Sequence, residues 1–573
     1  MEYLRLYEEF IAYWTDVRRD PVTGEFGSSP YDDSDLLMDW LDLHLIADPN
    51  RKFGDALVTF ADKIWNEYKR GDIPYITNGL NTKWTDDLHA YEEGINVQPA
   101  AFFARYGDPV IFDRLLSTSR RYDGFLFRRT KDGKLEFADT LGGREGRPFW
   151  SSSKPPEGGL GQWWPLILHP GFTALWYSGN PTLEEIMSAI GQGGLHHGNK
   201  MDMSDSTPKS AALSALYSHF KDSLYLRCLP GISTGESSQW RWDTTLLGRL
   251  DLKPEQKESI YRTSRKDAAE RYKKLDTVVL GGADRRFDRN WMEWQLTGKI
   301  EHLEEGLAEL YKKLKFTMPV ATFAEQSGDR VSVPKSLISL CYLGGVAGVR
   351  NGYFYPDIAV SYEGFGSDFA GLVLDRSSSH TTVAFYNFHD QPITGILHYW
   401  NLLPGTYDIQ GMIAKNYSWE STEYPNFLKE KYLQRGESLE ITLPPQQVWI
   451  LKASLKEPSP PLHPRADLAL SIQGCQWLDD KTLEAKVWNI GSTASKPAKL
   501  VLKDAKGKIL AEADIASLDW PKDLKVVPSL VQLRIDKPHT ENYSQPFYLN
   551  VNNDRNFEEI TWLNNSVKLS TSQ

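Results

Sequence analysis

Hydrophobic positions in the first 340 residues recur at helical spacing. In segment 35–46 the apolar side chains fall three or four residues apart, as they do on one face of a helix. Segment 53–68 repeats this spacing with Leu57, Phe60 and Ile64. The pattern predicts a series of amphipathic helices, and therefore a helical N-terminal part of the chain.

Four short phrases separate these apolar helical segments. Glycine or asparagine ends a helix in the left-handed conformation, Asp or Asn caps the next helix, and proline suits its first turn. We interpret the phrases as the turns of an array of helical hairpins; the alternative is an irregular helical domain with coincidental turns. The phrases are Ala47-Asp48-Pro49-Asn50, Tyr106-Gly107-Asp108-Pro109, Tyr177-Ser178-Gly179-Asn180-Pro181 and Leu296-Thr297-Gly298-Lys299.

From about residue 340 the hydrophobic period changes to alternation. Apolar runs rich in β-branched and aromatic residues are separated by turn residues such as Pro404-Gly405, which is typical of antiparallel strands. We predict a β-sandwich over residues 341–455. The proline-rich segment 456–465 is predicted to be a stiff, extended linker with few contacts across it, and segment 466–573 a second β-domain.

This order of helix pairs and β-structure, with its abundant tryptophan, resembles a known architecture. Over residues 1–455 the chain is similar to the (α/α)-toroid polysaccharide lyases of the chondroitin, alginate and heparinase types, and to several toroid glycosidases. Phrases 487–491 (VWNIG) and 562–565 (WLNN) resemble the CARDB-type immunoglobulin-like modules of bacterial extracellular enzymes. The resemblances imply a multidomain α + β protein: an N-terminal (α/α) toroid over 1–340, an antiparallel β-sandwich over 341–455, and an Ig-like β-sandwich over 466–573.

The same resemblances imply a glycan-degrading enzyme that is secreted, periplasmic or on the cell surface. Catalysis is expected in the toroid, because the C-terminal modules of this type are non-catalytic. The N-terminus of the chain lacks the basic and then apolar layout of a signal peptide. The expectation of export therefore rests on the resemblance.

Composition narrows the possible partners. The 76 acidic and 65 basic residues give a net charge of −11, which opposes broad binding to nucleic acid or to an anionic membrane. The chain has 19 Trp, 27 Tyr and 24 Phe, and such flat side chains stack on flat ligands. Three dispersed cysteines, Cys228, Cys341 and Cys475, form neither a disulfide framework nor a zinc site. We expect an acidic polysaccharide or oligosaccharide as partner, no nucleic acid and no membrane.

Several familiar catalytic motifs are absent from the sequence. It contains no H-E-x-x-H, no Walker loop and no G-x-G-x-x-G before a helix, so metalloprotease, kinase and dehydrogenase functions lose their usual support. Asp202 and Asp205 follow the pair His196-His197, but no third ligand stands at helical spacing. We therefore predict no metal and no other cofactor.

Polar segment 78–96 is the first candidate for chemistry. His89, Tyr91 and Glu92 offer a base, an acid and an orienting carboxylate, and Asn96 is a candidate contact to substrate. The alternative interpretation is a helix N-terminus that Asp86 or Asp87 caps, with His89 packed inside the protein.

Two further segments, 163–199 and 231–243, combine tryptophan with polar groups. Adjacent tryptophans stack on sugar rings, and a guanidinium grips a carboxylate or sulfate with two hydrogen bonds. The alternative for the later segment is an aromatic-anchored loop with a structural salt bridge. The candidates are Trp163, Trp164, His197 and Asn199 in the earlier segment, Glu236, Trp240, Arg241 and Trp242 in the later one, and Arg330 where the helical part ends.

The first functional hypothesis is a polysaccharide lyase that cleaves a uronic-acid-containing glycan by β-elimination. Such a reaction needs neutralisation of the substrate carboxylate, a base and a proton donor. We predict that His89, Tyr91, His197, Glu236 and Arg241 are catalytic and lie in one cleft, walled by the tryptophans. The alternatives are a toroid glycoside hydrolase with two carboxylates and a non-catalytic glycan-binding protein. The hydrolase would use Glu92 or Asp87 with Glu236, or Glu325 with Asp329.

Overall fold

Helices make up most of the N-terminal part of the protein. A computed structural model describes residues 2–20, 34–48, 50–70, 76–77, 80–81, 97–120, 122, 127–129, 131–133, 135–137, 142–143, 147–148, 169–198, 215–223, 225, 253, 255, 285–322, 336–345, 357–414, 426–539 and 543–570. Its longer helices are α1 Glu2–Tyr13, α2 Ser34–Ala47, α3 Lys52–Arg70, α4 over residues 97–104, α5 Pro109–Arg120, α6 His169–Ser178, α7 Pro181–Gly198, α8 Arg285–Thr297, α9 Glu301–Thr322 and α10 Ser336–Leu343.

The hairpin turns form as their sequence predicts. Gly107 and Gly179 end their helices with φ of 81° and 61°, in the left-handed region that glycine tolerates. Asp108 Oδ1 then accepts the N–H of Val110 at 2.8 Å, and Asn180 Oδ1 accepts the N–H of Thr182 at 2.9 Å. The predicted turns at the starts of α5 and α7 are therefore confirmed.

Strands before residue 340 are short in the part of the chain that the structure describes. They form three two-stranded ladders of two or three residues each: β1 Ile76–Thr77 with β2 Leu80–Asn81, β3 Phe127–Arg129 with β4 Leu135–Phe137, and β5 Gly142–Gly143 with β6 Arg147–Pro148. The change of period near residue 340 thus marks a real change of structure. The multidomain α + β class is confirmed, while the closed toroid stays a prediction.

The first sandwich, residues 357–458, has two antiparallel sheets. One has the strand order β13-β10-β7 and the other β12-β11-β14-β9-β8. The strands are β7 Val360–Glu363, β8 Phe369–Arg376, β9 His380–Asn387, β10 Ile393–Tyr399, β11 Gly405–Ile413, β12 Asn426–Leu433, β13 Ser438–Leu443 and β14 Val448–Pro458. Because β14 pairs through Pro458 with β11, the first residues predicted as linker belong to a strand.

Helix α10 joins this sandwich to the other helices. The Tyr342 hydroxyl donates to the carbonyl of Phe369 at 2.8 Å, and the Tyr362 hydroxyl donates to the carbonyl of Tyr342 at 2.5 Å. On the helical side, the Ser339 hydroxyl donates to Asp42 of α2 at 2.5 Å. The helices and the first sandwich consequently share one continuous hydrophobic core.

The C-terminal sandwich, residues 466–570, also has two antiparallel sheets. In one, β17 pairs with β15, β16 and β20; the other has the order β19-β18-β21-β22. The strands are β15 Leu468–Ala469, β16 Cys475–Asp479, β17 Thr482–Asn489, β18 Ala498–Lys503, β19 Ile509–Ile515, β20 Ser529–Arg534, β21 Phe547–Val551 and β22 Ser566–Leu569. The two sheets enclose a separate core that includes Leu483, Leu500 and Phe547. The Ig-like assignment stays a prediction.

The segment before this sandwich is packed against the helices. Leu462 and Arg465 are buried, and His463 Nε2 lies 2.7 Å from the carbonyl of Tyr177. The expectation of few contacts across the linker is therefore wrong, because its residues bind the turn between α6 and α7. The domain boundaries themselves stay predictions.

Candidate active site between the helices and the first sandwich

The predicted catalytic and substrate-binding residues lie outside the described residues. Only the backbone of His197 is described, as part of α7. The structure therefore places no side chain of the predicted cleft, and the assignment stays a prediction. This set is His89, Tyr91, His197, Glu236 and Arg241, with Asn96, Trp163, Trp164, Asn199, Trp240, Trp242 and Arg330.

The described residues do contain two histidine–carboxylate pairs where α2 packs against the sheet β13-β10-β7. The first is buried: His44 Nδ1 lies 2.9 Å from Asp48 Oδ2, and the same oxygen accepts the N–H groups of Phe53 and Gly54 at 3.0 Å. Gly54 is required here, because a Cβ at this position would lie 2.6 Å from His44 Nδ1.

This buried pair holds the start of α3. Burial would raise the pKa of Asp48, but the hydrogen bonds from His44 and from the two N–H groups outweigh burial and lower that pKa. An ionised carboxylate at a helix N-terminus compensates the unpaired N–H groups and the helix dipole. We conclude that His44 and Asp48 fix the start of α3 and do not face a substrate.

The second pair is open to solvent. His398 Nε2 lies 3.1 Å from Glu363 Oε2, where β10 and β7 are neighbours, and the Glu363 side chain is 51% exposed against 13% for His398. The His398 hydrogen bond is the largest influence on Glu363 and lowers its pKa, although burial opposes it; the charges of Arg51 and His44 add to the lowering. Glu363 is therefore an exposed, ionised carboxylate that a histidine orients.

The hydrogen bond between His398 and Glu363 has a defined direction. An ionised Glu363 accepts a hydrogen, so the Nε2–H of His398 donates. The other ring nitrogen, Nδ1, is buried and has no hydrogen-bond partner among the described residues. Neither ring nitrogen of His398 is therefore open to a substrate, and His398 is a positioning residue.

A second carboxyl near His398 is shifted in the opposite direction. Glu437 directly precedes β13, and its N–H donates to the carbonyl of Gln434 at 3.0 Å. Burial raises the pKa of Glu437, while the charges of Arg555, Lys431 and His398 moderate the rise. When the environments of two carboxyls shift their pKa values apart, the one with the raised pKa can act as the catalytic acid and the other as the base or nucleophile.

Sequence reasoning missed these residues for different reasons. His44 and Asp48 stand four residues apart at the end of a predicted helix and its predicted turn, so their pairing was visible in the sequence. Glu363 and His398 are 35 residues apart, and only the register of β7 against β10 brings them together. No sequence signal marked Glu437.

Comparison with known proteins adds little to this geometry. No protein-family model and no curated protein matches the chain. Solved structures of β-glucuronidase from Ruminococcus gnavus align with part of it. The complex with uronic deoxynojirimycin is 9% identical over 30% of this chain and 33% of that chain, with a TM-score of 0.12. The complex with uronic isofagomine at 1.3 Angstroms resolution is 10% identical over 34% of this chain and 35% of that chain, with a TM-score of 0.12. The chain thus spans about a third of the structures it matches, and a TM-score this low defines no common fold.

The described residues show neither a membrane-spanning helix nor a metal-binding cluster. None of the described helices combines the length and apolar character that crossing a membrane requires. Likewise, the described side chains include no cluster of three or more His, Cys, Asp or Glu residues suited to holding a metal ion.

Proposed function

We propose that the protein is a carbohydrate-active enzyme that cleaves a glycan. Of the two reactions that the sequence leaves open, the described residues favour hydrolysis with two carboxylates. The observation that carries this choice is the exposed Glu363 carboxylate that His398 holds at 3.1 Å; the pKa values of Glu363 and of the neighbouring Glu437 are also displaced in opposite directions. The exposed, ionised Glu363 is suited to act as nucleophile or base, and Glu437 as the proton donor.

The position of the two carboxyls fits this division of roles. Glu363 stands opposite Ile396 in the sheet, on the face that also carries His398. Glu437 directly precedes β13, and its carbonyl accepts the N–H of Tyr399, the neighbour of His398, at 2.9 Å. The two carboxyls therefore belong to neighbouring segments around His398.

β-Elimination from a uronic acid is the second candidate function. It depends on His89, Tyr91, His197, Glu236 and Arg241, which lie outside the described residues. Among the described ones, the guanidinium of Arg51 favours it, because its charge acts on Glu363 and could equally neutralise the carboxylate of a uronate.

Product analysis distinguishes the candidates. The full chain is incubated with a panel of acidic and neutral polysaccharides, and both new reducing ends and ultraviolet absorbance of an unsaturated uronate are followed. Reducing ends without absorbance indicate hydrolysis, and reducing ends with absorbance indicate elimination. Binding of a glycan without either product would indicate the non-catalytic alternative.

Single substitutions then test the residues. We expect Glu363→Gln and Glu437→Gln each to lower kcat by about 10²- to 10⁴-fold, the usual contribution of an acid or base. Glu440→Gln is the matched control, because Glu440 is an exposed carboxylate on the same sheet, opposite Ile396. Tyr91→Phe should be mild under hydrolysis and should abolish turnover under elimination.

A pH profile tests the role of His398. Because its hydrogen bond lowers the pKa of Glu363, His398→Gln should move the acidic limb of kcat/KM to higher pH. His380→Gln is the control: His380 forms a comparable pair, with Nε2 2.6 Å from Asp375 Oδ2, in the other sheet of the same sandwich. An unchanged acidic limb in His398→Gln would contradict the positioning role.

A further inference from the structure

A polar pocket lies between the helices and the C-terminal sandwich. Its volume is about 430 Å³, within the range of about 300–1,000 Å³ that small-molecule sites occupy. Helices α3 and α5 form one wall, and residues of the C-terminal sandwich form the other. The lining residues that matter are Asp62, Trp65, Asn66, Asp113, Arg114, Gln473, Lys486 and Trp488.

One side of the pocket is held rigidly. Arg114 Nη2 donates to Asp62 Oδ1 at 2.5 Å, and Gln473 Nε2 donates to Asp62 Oδ2 at 2.9 Å. Arg114 also donates to Gln98 at 3.2 Å and lies over the ring of Trp65. A carboxylate bonded to both the helices and the C-terminal sandwich fixes the two walls relative to each other.

The other side offers unused polar groups. Lys486, on β17, and Asn66, on α3, are exposed, and neither has a hydrogen-bond or ion-pair partner among the described residues. Trp65 and Trp488 are 4% and 6% exposed and provide an aromatic floor. An amide and an ammonium that line the same pocket as two tryptophans supply donors and an acceptor of the kind that sugar hydroxyls bind.

The charges of the lining select against an ionic ligand. The carboxylates of Asp62 and Asp113 balance the cations of Arg114 and Lys486, so the pocket has no net charge. A uronate would gain little from such a lining, whereas a ligand with several neutral hydroxyls can form hydrogen bonds with Asn66 and Lys486.

We propose that this pocket binds one neutral sugar residue of a glycan, as a site separate from Glu363 and Glu437. The choice of a glycan rests on the proposed function; the preference for a neutral residue rests on the lining. Because both walls contribute, binding of the sugar also stabilises the contact of the C-terminal sandwich with the helices.

Calorimetric titration of the full chain with cellobiose, maltose and mannobiose tests the proposal. We expect at least one of these neutral disaccharides to bind, and its counterpart with a terminal uronic acid to bind more weakly. Lys486→Ala and Asn66→Ala should each weaken binding about tenfold, as the loss of a hydrogen bond to ligand implies. Lys568→Ala, an exposed lysine on β22 away from the pocket, is the matched control and should leave binding unchanged.

Absence of binding, or binding that Lys486→Ala and Asn66→Ala leave unchanged, would overturn the pocket proposal. Glycan cleavage is measured separately on the same proteins. Cleavage without disaccharide binding would overturn the pocket proposal and leave the proposed function standing. Disaccharide binding that depends on Lys486, without cleavage of any glycan, would support the pocket proposal and overturn the proposed enzymatic function.

Discussion

The two β-sandwiches contact the helices in different ways. The first sandwich shares its hydrophobic core with them, and the gap that remains between α1, α9, α10 and strands β8 and β9 is an apolar cavity of about 480 Å³. The C-terminal sandwich has a core of its own, while some of its residues, such as Trp488, Leu524 and Val526, also pack into the core of the helices. The gap beside it is the polar pocket of about 430 Å³. Similar architecture thus produces a fused unit in one case and a docked unit in the other.

Buried polar groups hold the docked unit. The Tyr177 hydroxyl donates to Asp467 Oδ2 at 2.5 Å, and Asn564 Nδ2 donates to the same oxygen at 3.0 Å and to the carbonyl of Gly107 at 3.2 Å. All of these groups are buried. Because hydrogen bonds require defined geometry, this contact specifies one orientation of the sandwich, which apolar packing alone does less strictly.

The turns of the helical hairpins are the surface that receives the sandwich. Ser471 donates to Asp108 at 2.8 Å, and Asn180 donates to the carbonyl of Pro521 at 2.9 Å. The acceptor Asp108 belongs to the turn before α5, and the donor Asn180 belongs to the turn before α7. The same residues therefore cap a helix and bind another domain, which explains why these two turns are buried.

Removal of the C-terminal sandwich should have the largest effect. Truncation after Ser459 keeps β14 intact but exposes the buried faces of the two turns. We expect the free energy of unfolding to fall by several kcal/mol and Tm by about 10 °C, at about 2–4 °C per kcal/mol. Calorimetry of the truncated and full-length chains measures the difference.

The isolated fragment 460–573 is the companion experiment. Its separate core predicts cooperative folding without the helices. A truncated protein with the full-length Tm would contradict the role of the polar contact and restore the sequence-based expectation of a freely removable module. A fragment without a folding transition would show that its core depends on the helices.

A matched pair of glycines gives the next largest effect. Gly179 and Gly298 both end a helix, with φ of 61° and 68°, so alanine at either position should cost about 1 kcal/mol of backbone strain. A Cβ at Gly179 would also collide with the His463 ring, whose Nδ1 would lie at 2.8 Å, while a Cβ at Gly298 would meet nothing within 4 Å. Overpacking adds about 1–3 kcal/mol at Gly179.

Denaturant unfolding of Gly179→Ala and Gly298→Ala measures these costs. We expect Gly179→Ala to be the less stable by the overpacking contribution. Equal losses of stability in the two variants would mean that the segment around His463 moves to accommodate the added Cβ at no cost in free energy. The contact between the linker and the turn would then contribute little to stability.

The turns show how far the sequence predicts this fold. Asp108 and Asn180 cap their helices through local hydrogen bonds, and local chemistry is readable from neighbouring residues. The change to strands near residue 340 was predictable for the same reason, since period depends on adjacent positions. Packing of the C-terminal sandwich on the turns was not predictable, because Tyr177 and Asp467 meet across 290 residues.

The candidate site was less predictable than the fold. Glu363 and His398 have no shared local pattern, and their pairing depends on strand register. The sequence-based prediction instead assigned catalysis to polar segments in which histidines, tyrosines and tryptophans are concentrated. Those segments lie outside the described residues, so the two sets of candidates are separated by the substitutions proposed above.

Two buried carboxyls predict a pH dependence for the docked unit. Burial raises the pKa of Asp467 and of Glu559, and the charge of Asp467 raises that of Glu559 further. Folded-state pKa values above the unfolded value of about 4 mean that the folded protein binds more protons. The contribution of this pair to the free energy of unfolding should therefore be greatest below about pH 4. It should fall as the pH rises toward the folded-state pKa values.

Asp467→Asn tests this prediction. Each unit by which a folded-state pKa exceeds the unfolded one corresponds to about 1.4 kcal/mol. The variant lacks the titrating group, so its stability should decline less between about pH 5 and 8 than that of the parent. Asp536→Asn changes an exposed carboxyl of the same sandwich and should leave the decline unchanged. Identical pH profiles for the parent and Asp467→Asn would contradict the role of the pair.

The smallest effect is expected from a hydroxyl at the edge of the contact. Thr182 Oγ1 donates to the carbonyl of Lys522 at 2.7 Å, across the contact, whereas Thr59 Oγ1 donates to the carbonyl of Asp55 at 2.8 Å within its own helix. Both bonds are exposed, so water replaces much of what each loses, and Thr182→Val should cost about 0.5 kcal/mol. Thr59→Val should cost less, because a threonine hydroxyl bonded within its own helix competes with the helical hydrogen bonds. Thermal unfolding of both variants in parallel measures the difference. Equal effects would mean that the edge of the docked unit is already solvated and that its stability comes from its buried groups, which include the network of Tyr177, Asp467 and Asn564.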